Sequence, residues 1–232
     1  MPIYDQIYSS PNFGYPKGSF GRGGHQPVGI CLHITGAQWE SNYSWVMNPS
    51  ANASYNAVVK DDGTVVQLVP EQNAAYSHGR INRATWPLLK QGINPNLYTL
   101  SLARTGSNQN TWTAAQLETT LKVLQYWGAK YSIPLKRPYI FGHFEIDSLD
   151  RWYCPGRSFF DRVIAELAEE SERGSSEEET AELEPEPVIW HRVVAGSFRN
   201  PDNAQRQLQR LRAKRIDAFI VRYRVPGSGT TG

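Results

Sequence analysis

Cysteine is scarce in this sequence of 232 residues, which contains only Cys31 and Cys154. One possible pair does not make a disulfide framework, so we expect the fold to depend on a hydrophobic core. Cys31 lies among apolar residues on a predicted strand, which favours buried packing. Long apolar runs are also missing, because none approaches the roughly 20 residues that a membrane helix needs. The sequence therefore predicts no membrane insertion.

A secretory signal is lacking as well. The opening segment, MPIYDQIYSSPNFGYPKG, has neither the basic start nor the apolar core of such a signal. We therefore expect either another route of export or a segment that has been removed. Hydrophobic residues make up 40% of the chain and charged residues 20%, which is typical of a soluble globular protein. The length suffices for one well-cored domain plus a small second one.

The net charge of +2 conceals an uneven distribution. Residues 166–187 are dominated by glutamate, with Arg173 as their only basic residue, whereas the chain beyond them is basic. Such a switch predicts two modules joined by a repelling, extended linker. We divide the chain into an N-terminal arm (1–27), a main domain (28–165), an acidic linker (166–187), a small C-terminal module (188–225) and a flexible tail (226–232).

Strand-like and helix-like segments alternate along the main domain. Val28 to Leu32 is a continuous apolar run, typical of a strand buried on both faces. Two β-rich runs flank an Asp-Gly pair at 62–63, which predicts a hairpin. Thr113 opens the clearest helix, with Gln116 three residues later in a capping-box pattern. Together with a second helix over 157–170, these elements predict an α/β domain with a central, mostly mixed β-sheet flanked by helices.

The C-terminal module repeats this pattern in miniature. The segment VIWHRVVAGSF is strand-like, and Asn200-Pro201-Asp202 is typical of a helix start. A second strand is predicted at Asp217, in the segment DAFIV. We therefore predict a small βαβ unit.

Candidate metal ligands follow two of the apolar runs. His33 ends the first run, and His143 follows the short run Tyr139 to Phe141. Cys154 lies in a Pro-Gly loop of the same stretch, GHFEIDSLDRWYCPG. Two histidines and one thiol would make a three-ligand zinc site with a vacant position, as catalytic zinc centres have. The spacing alone leaves this open, because a lone cysteine is also typical of an inert core.

Four segments, in order, resemble one enzyme family. They are GICLHITG, SYNAVVKDDGTVVQLVPEQNAAYSHG, NPNLYTLSLARTG and GHFEIDSLDRWYCPG, and they cover roughly residues 28–160. In these segments the chain resembles the zinc-dependent N-acetylmuramoyl-L-alanine amidases of the amidase-2 type, which include phage lysozyme-like amidases and are similar to peptidoglycan recognition proteins. The resemblance implies that fold, and hydrolysis by zinc-activated water of the amide between N-acetylmuramic acid and L-alanine.

The resemblance also implies a set of site residues. It makes Zn2+ the cofactor, and the positions that match the family's ligands are His33, His143 and Cys154. The position of His78 matches a loop beside the family's substrate groove, so we assign substrate binding to His78 and Asn56. The alternative for His78 is an ordinary surface loop histidine.

The catalytic groups are less conventional. Many relatives have a general-base glutamate at the position of Ala103 and an oxyanion-stabilising lysine at that of Trp152. We therefore assign catalysis to Tyr55, as in phage lysozyme-like members, and to Arg151. The alternative for Arg151 is a surface ion pair with Asp147 or Asp150, which the sequence leaves open.

The C-terminal module resembles the first half of a sporulation-related (SPOR) repeat, whose family binds peptidoglycan glycan strands. The full family domain contains about two βαβ halves, so the piece here is partial. The alternative is that its basic residues form a solvated helix face. We expect peptidoglycan as the partner, through its glycan strand and peptide stem, no nucleic acid, and a monomeric state.

Two functions remain in competition. The first is a cell-wall hydrolase, an endolysin or autolysin that acts outside the cell or after release from the cytoplasm during lysis. The second is a non-catalytic peptidoglycan-binding protein. The presence of Cys154 favours the enzyme, whereas Ala103 and Trp152 favour the binding protein. Nucleic-acid binding is disfavoured, because the basic tail is not strongly interleaved with aromatic residues.

Overall fold

The computed structural model describes residues 3–177 and 200–214. The chain divides into two compact units, 1–181 and 182–232. In the second unit the predicted helix is confirmed, because a helix spans Pro201–Ala213. The two predicted strands of the C-terminal module and the predicted flexible tail lie outside the described residues.

A six-stranded mixed sheet forms the centre of the first unit, in the order β1-β4-β3-β5-β2-β6. The strands are β1 (Gln6–Ile7), β2 (Gly29–Ile34), β3 (Ala57–Val59), β4 (Val65–Gln67), β5 (Thr99–Arg104) and β6 (Ile140–Gly142). Within this sheet β3 and β4 form the predicted antiparallel hairpin, and the other neighbouring strands are parallel. The predicted α/β fold with a mixed central sheet is confirmed.

Helices lie between and after the strands. They are α1 (Trp39–Met47), α2 (Ala114–Tyr131), α3 (Arg157–Glu177) and, in the second unit, α4 (Pro201–Ala213). The predicted capping box of α2 is present: the Thr113 hydroxyl accepts from the Gln116 amide at 3.0 Å, and the Thr113 amide donates to the Gln116 side chain at 3.2 Å. This pair satisfies donors that a helix start leaves without partners.

The third helix is longer than predicted. We expected it to end at Glu170 and the acidic linker to begin at residue 166, but α3 continues through Glu177. Along α3, Arg162 pairs with Glu166 and Arg173 pairs with Glu169. In each pair the two residues are about one helical turn apart. Such i,i+4 pairs support a helix even where the sequence is rich in one charge. The first half of the expected linker is therefore helical.

The two faces of the sheet have different roles. Side chains alternate along β2, so that Ile30 and Leu32 pack with α2 and α3 in the main core, which includes Leu124 and Phe159. Cys31 points to the other face, where it is fully buried, as predicted. Helices α2 and α3 therefore cover one face of the sheet, and α1 and loops cover the other.

The N-terminal arm takes part in the sheet and the interior of the first unit. It contributes β1 at the edge of the sheet, and its Arg22 is buried, with only 5% of the residue exposed. The Arg22 guanidinium donates to the backbone carbonyls of Glu71 at 2.7 Å and Thr99 at 2.8 Å. Both cysteines of the chain are free, and none of the described helices is long and apolar enough to cross a membrane.

Candidate active site

The register of two parallel strands brings His33 and His143 together. In the pairing of β2 with β6, Leu32 lies opposite Gly142, so each histidine comes one residue later at the carboxyl end of its strand. The two ring centroids are 4.5 Å apart, and both residues are buried. The carboxyl ends of parallel strands are the usual place for ligands in open α/β sheets.

Cys154 reaches the same place from the loop after β6. Its backbone carbonyl accepts from the Phe144 amide at 3.1 Å, and its sulfur accepts from the Ile34 amide at 3.3 Å. Its Sγ lies 4.0 Å from His33 Nδ1. Donor atoms of His33, His143 and Cys154 all lie within 4.8 Å of one another. The structure thus brings together the three residues predicted as ligands.

The hydrogen bonding of His143 leaves one ring nitrogen available. Its Nε2 donates to the backbone carbonyl of His78 at 2.9 Å, because a carbonyl can only accept. Burial, helped by the charge of Arg151, lowers the pKa of His143 to about 4, so the ring is neutral at neutral pH. Its Nδ1 therefore carries a lone pair rather than a proton. Backbone carbonyls commonly fix metal-ligating histidines in this way.

The charge states of the other two residues also suit a metal. Burial, then the neighbouring rings of His143 and His78, hold the pKa of His33 well below its ordinary value. Burial raises the pKa of Cys154 to about 12, so its thiol keeps a proton until a cation replaces it. Two neutral imidazoles and one thiol are a donor set that zinc prefers. The residues therefore fit a zinc ion.

A second group of possible ligands shares His33. It comprises Cys31, His33 and His78, whose donor atoms also lie within 4.8 Å of one another. The two groups differ in their surroundings. The residues of both groups are buried, but the group with Cys154 has the charge of the exposed Arg151 near its thiol.

Tyr55 and Arg151 stand beside this centre. The Tyr55 ring lies 5.3 Å from the His33 ring, and burial raises the pKa of Tyr55, so its hydroxyl is a donor rather than a base. Arg151 makes no ion pair within the described residues. The Asp147 carboxylate instead accepts from the Leu149 amide at 3.2 Å and the Asp150 amide at 2.9 Å. The alternative of an ion pair between Arg151 and Asp147 or Asp150 is thus not formed among the described residues.

The sequence model of the N-acetylmuramoyl-L-alanine amidase family, Amidase_2, matches residues 23–157, which is more than half of the chain. The chain belongs to this family. It is thus a peptidoglycan hydrolase of the N-acetylmuramoyl-L-alanine amidase type, and the non-catalytic alternative is not favoured. A second model, that of the SPOR domain, matches residues 187–230 at the C-terminus of this amidase. No curated protein sequence matches the chain.

Solved structures agree with the fold of the amidase. A selenomethionine derivative of AmpD superposes with a TM-score of 0.55 at 18% identity, covering 72% of this chain and 96% of that one. The PlyG catalytic domain gives 0.51 at 16% identity, covering 73% and 94%. PlyL gives 0.50 at 20% identity, covering 70% and 97%. At these identities the likeness establishes the fold alone.

Two positions of the amidase lack the glutamate and the lysine that the resemblance led us to look for there. Ala103 is paired directly opposite His33 in the register of β5 and β2, and it is buried. The position is therefore beside the candidate ligand, but a methyl group cannot accept a proton. Trp152, at the lysine position, is 59% exposed and brings no positive charge.

The two residues assigned to substrate binding are turned inward. Asn56 is fully buried, and its amide donates to the Val69 carbonyl at 3.1 Å and accepts from the Ser101 amide at 3.1 Å. His78 is 1% exposed, and its Nε2 bonds to the Thr99 hydroxyl at 2.7 Å. In this structure neither side chain is presented to a substrate.

Sequence reasoning missed two residues that hold the candidate ligands in place. Arg104, at the end of β5, donates to the carbonyl of Pro155, the residue after Cys154, at 3.1 Å. Glu145 accepts from the Gly142 amide at 2.9 Å and forms an ion pair with Arg137, fixing the turn that begins at His143. A charged residue inside a buried strand, as in LSLAR, is a signal that could have indicated Arg104.

Proposed function

We propose that this amidase binds one Zn2+ through His33, His143 and Cys154 and uses it to hydrolyse the amide between N-acetylmuramic acid and L-alanine. The observation that carries the proposal is the convergence of these three donors within 4.8 Å. The bond from His143 Nε2 to the His78 carbonyl supports it, because it leaves Nδ1 free to bind a metal. A zinc ion held there supplies a Lewis acid that lowers the pKa of water and polarises the substrate carbonyl.

The side chains around the metal do the remaining work. Tyr55 stays protonated, so its hydroxyl orients the attacking water by a hydrogen bond rather than removing a proton. Arg151, which is exposed and unpaired among the described residues, stabilises the negative charge that develops on the carbonyl oxygen. Asn56 and His78 act from within the fold, by holding the loops that carry the site.

The C-terminal unit directs the enzyme to its substrate. Peptidoglycan is the substrate of the family, and the SPOR match supports binding of the glycan strand by residues 187–230. The enzyme acts on the cell wall as a monomer, either outside the cell or after release from the cytoplasm during lysis. Comparison of culture supernatant, cytoplasm and lysate separates these routes, and size-exclusion chromatography with light scattering tests the monomer.

The test of the reaction is the end group that it releases. Purified cell walls treated with the zinc-loaded enzyme should gain new N-terminal alanine without gaining reducing sugar ends. Removal of the metal with a chelator should abolish the release, and added Zn2+ should restore it. New reducing ends, or alanine release that is indifferent to the chelator, would contradict the proposal.

A further inference from the structure

Two buried ring nitrogens near the candidate metal centre lack any hydrogen-bond partner. They are His33 Nε2 and His78 Nδ1. Their rings are 5.7 Å apart between centroids, at an angle of 39°. A ring nitrogen of one lies within 4.8 Å of a ring nitrogen of the other. A buried polar atom without a hydrogen-bond partner lowers the stability of the fold, so two such atoms on neighbouring rings need an explanation.

The hydrogen bonds around His78 fix its tautomer. The Thr99 hydroxyl donates its single proton to the Pro95 carbonyl at 2.8 Å. It therefore accepts from His78 Nε2, which lies 2.7 Å away and must carry the proton. The other nitrogen, Nδ1, is buried and has no partner that could accept a proton from it. In the neutral ring His78 Nδ1 is therefore a bare acceptor.

The opposite assignment follows for His33. Its Nδ1 faces the sulfur of Cys154, on the side of the candidate metal ligands. When Nδ1 binds a metal, the proton of the neutral ring resides on Nε2. That N–H is buried and has no acceptor, and the ring of His78, with its unpartnered nitrogen, has its centroid 5.7 Å from that of His33. One donor without an acceptor and one acceptor without a donor therefore lie on neighbouring rings.

We propose that His78 is a positioning residue that supports both histidine ligands, accepting from His33 Nε2 on its ring and from His143 Nε2 on its backbone carbonyl. The inference rests on the proposed zinc site. The second bond is present at 2.9 Å, and the first requires the two rings, whose centroids are 5.7 Å apart, to turn their unpartnered nitrogens towards each other. Such partners fix the tautomer of a ligand and raise its basicity, and their loss typically costs about 10–100-fold in metal affinity.

The loop that carries His78 is held firmly enough for this task. The Asn96 side-chain oxygen accepts from the backbone amides of Ser77 at 3.1 Å and His78 at 3.2 Å. It also accepts from the Ser77 hydroxyl at 3.0 Å. A ring held at its backbone and at Nε2 presents Nδ1 in one direction.

The test compares zinc affinity among three variants by competition with a chelator. His78→Phe keeps the ring shape but has no acceptor, so its zinc affinity should fall about 10–100-fold. His78→Asn places an oxygen near the former Nδ1 and should recover most of the loss. His25→Phe is the matched control, because His25 contacts Tyr98 rather than the metal centre, and it should bind zinc as the wild type does. Unchanged affinity in His78→Phe would overturn the proposal.

A second measurement reads the hydrogen bond itself and does not depend on folding of the variants. In the zinc-loaded wild type, 15N NMR of the histidine rings should show a proton on His33 Nε2, none on His78 Nδ1, and a scalar coupling between these two nitrogens. A proton on His78 Nδ1 would refute the assignment. Metal coordinated directly by His78 would do so too, and would place the ion in the group with Cys31.

Zinc binding and the role of His78 are tested by different outcomes. If the wild type binds no zinc, or Cys154→Ser binds it as tightly as the wild type, the proposed metal site is wrong. If the wild type binds zinc through Cys154 but His78→Phe binds it equally well, only the role of His78 is wrong.

Discussion

Arg104 Nη2 donates to the backbone carbonyl of Pro155 over 3.1 Å, tying the end of β5 to the residue that follows Cys154. The same guanidinium donates to the carbonyls of Gln109 at 3.0 Å and Thr111 at 2.9 Å. Burial lowers the pKa of Arg104 to about 10, so the group stays charged at neutral pH. A buried cation thus braces the loop that carries the candidate thiol ligand.

Replacement of this arginine should therefore weaken both the fold and the metal site. We expect Arg104→Met to lower the free energy of unfolding by a few kcal/mol, since hydrogen bonds from charged groups contribute about 1.5–3 kcal/mol each. We also expect its zinc affinity to fall, because the Cys154 loop loses its anchor. Thermal unfolding and chelator competition measure the two effects.

Lys130→Met is the control for this variant. Lys130 forms an ion pair with the buried Glu71 at 2.9 Å, and it contacts neither the Cys154 loop nor the residues that hold His78. It should destabilise the protein and leave the zinc affinity of the folded fraction unchanged. Equal zinc affinities in both variants would show that the contact with Pro155 does not position the ligand.

The catalytic roles predict a separation of turnover from metal binding. Arg151→Ala and Tyr55→Phe should each reduce kcat by on the order of a hundredfold or more, the usual effect of removing one oxyanion-stabilising donor. Neither should change the zinc content, because neither belongs to the ligand group. Arg162→Ala is the control, since Arg162 pairs with Glu166 on α3 and should leave the rate unchanged. Full rates in both site variants would reject the proposed mechanism.

The metal-free protein should lose stability in mild acid. Burial lowers the pKa of His143 from 6.5 to about 4, and it lowers those of His33 and His78 as well. Below pH 6.5 the histidines of the unfolded chain bind protons, whereas those of the folded chain stay neutral. The free energy of unfolding is therefore highest above pH 6.5 and decreases as the pH falls towards 4. Thermal unfolding of chelator-treated protein at several pH values measures this loss.

The buried carboxyl of Glu71 titrates below the pH range in which the histidines act. Lys130 and Tyr4 bond to Glu71, and the pKa of that carboxyl lies below its ordinary 4.5, so its contribution is lost only in stronger acid. Stability of the metal-free protein that stays flat between about pH 7 and about pH 5 would contradict the assignment of three neutral, buried histidines.

The division into two units predicts separable activities. A chain ending at Ala181 retains the whole first unit, including all residues of the candidate site. It should hydrolyse soluble muropeptide at the rate of the full-length chain but bind less tightly to purified walls stripped of their peptides. A truncated protein that folds but has lost hydrolysis of muropeptide would show that the units are not independent.

The sequence was informative where the signals are local. The Asp-Gly hairpin and the capping box at Thr113 depend on residues a few positions apart, and both are present. The apolar run from Val28 to Leu32 predicted a strand buried on both faces, and β2 is buried at every residue. The two histidines among the expected ligands lie close together because the carboxyl ends of neighbouring parallel strands share one edge of the sheet. Their proximity follows from the topology of the sheet rather than from their spacing in the sequence.

What the sequence did not predict depends on contacts between distant segments. Arg22 and Arg104 donate to backbone carbonyls of residues that are distant in the sequence. No local sequence pattern predicts which carbonyls these are. The two-residue β1 is too short for any periodicity, and it forms because it pairs with β4. Likewise, nothing in the sequence shows that Asn56 and His78 turn inward.

The central claim is that Cys154 is one of three zinc ligands, and elemental analysis of metal content tests it most directly. The wild type, purified and dialysed with Zn2+ present, should contain one equivalent of zinc per chain, and Cys154→Ser should contain little. Cys31→Ser, which alters the other buried thiol, should retain the full equivalent. One equivalent of zinc in Cys154→Ser, or its loss in Cys31→Ser, would contradict the account.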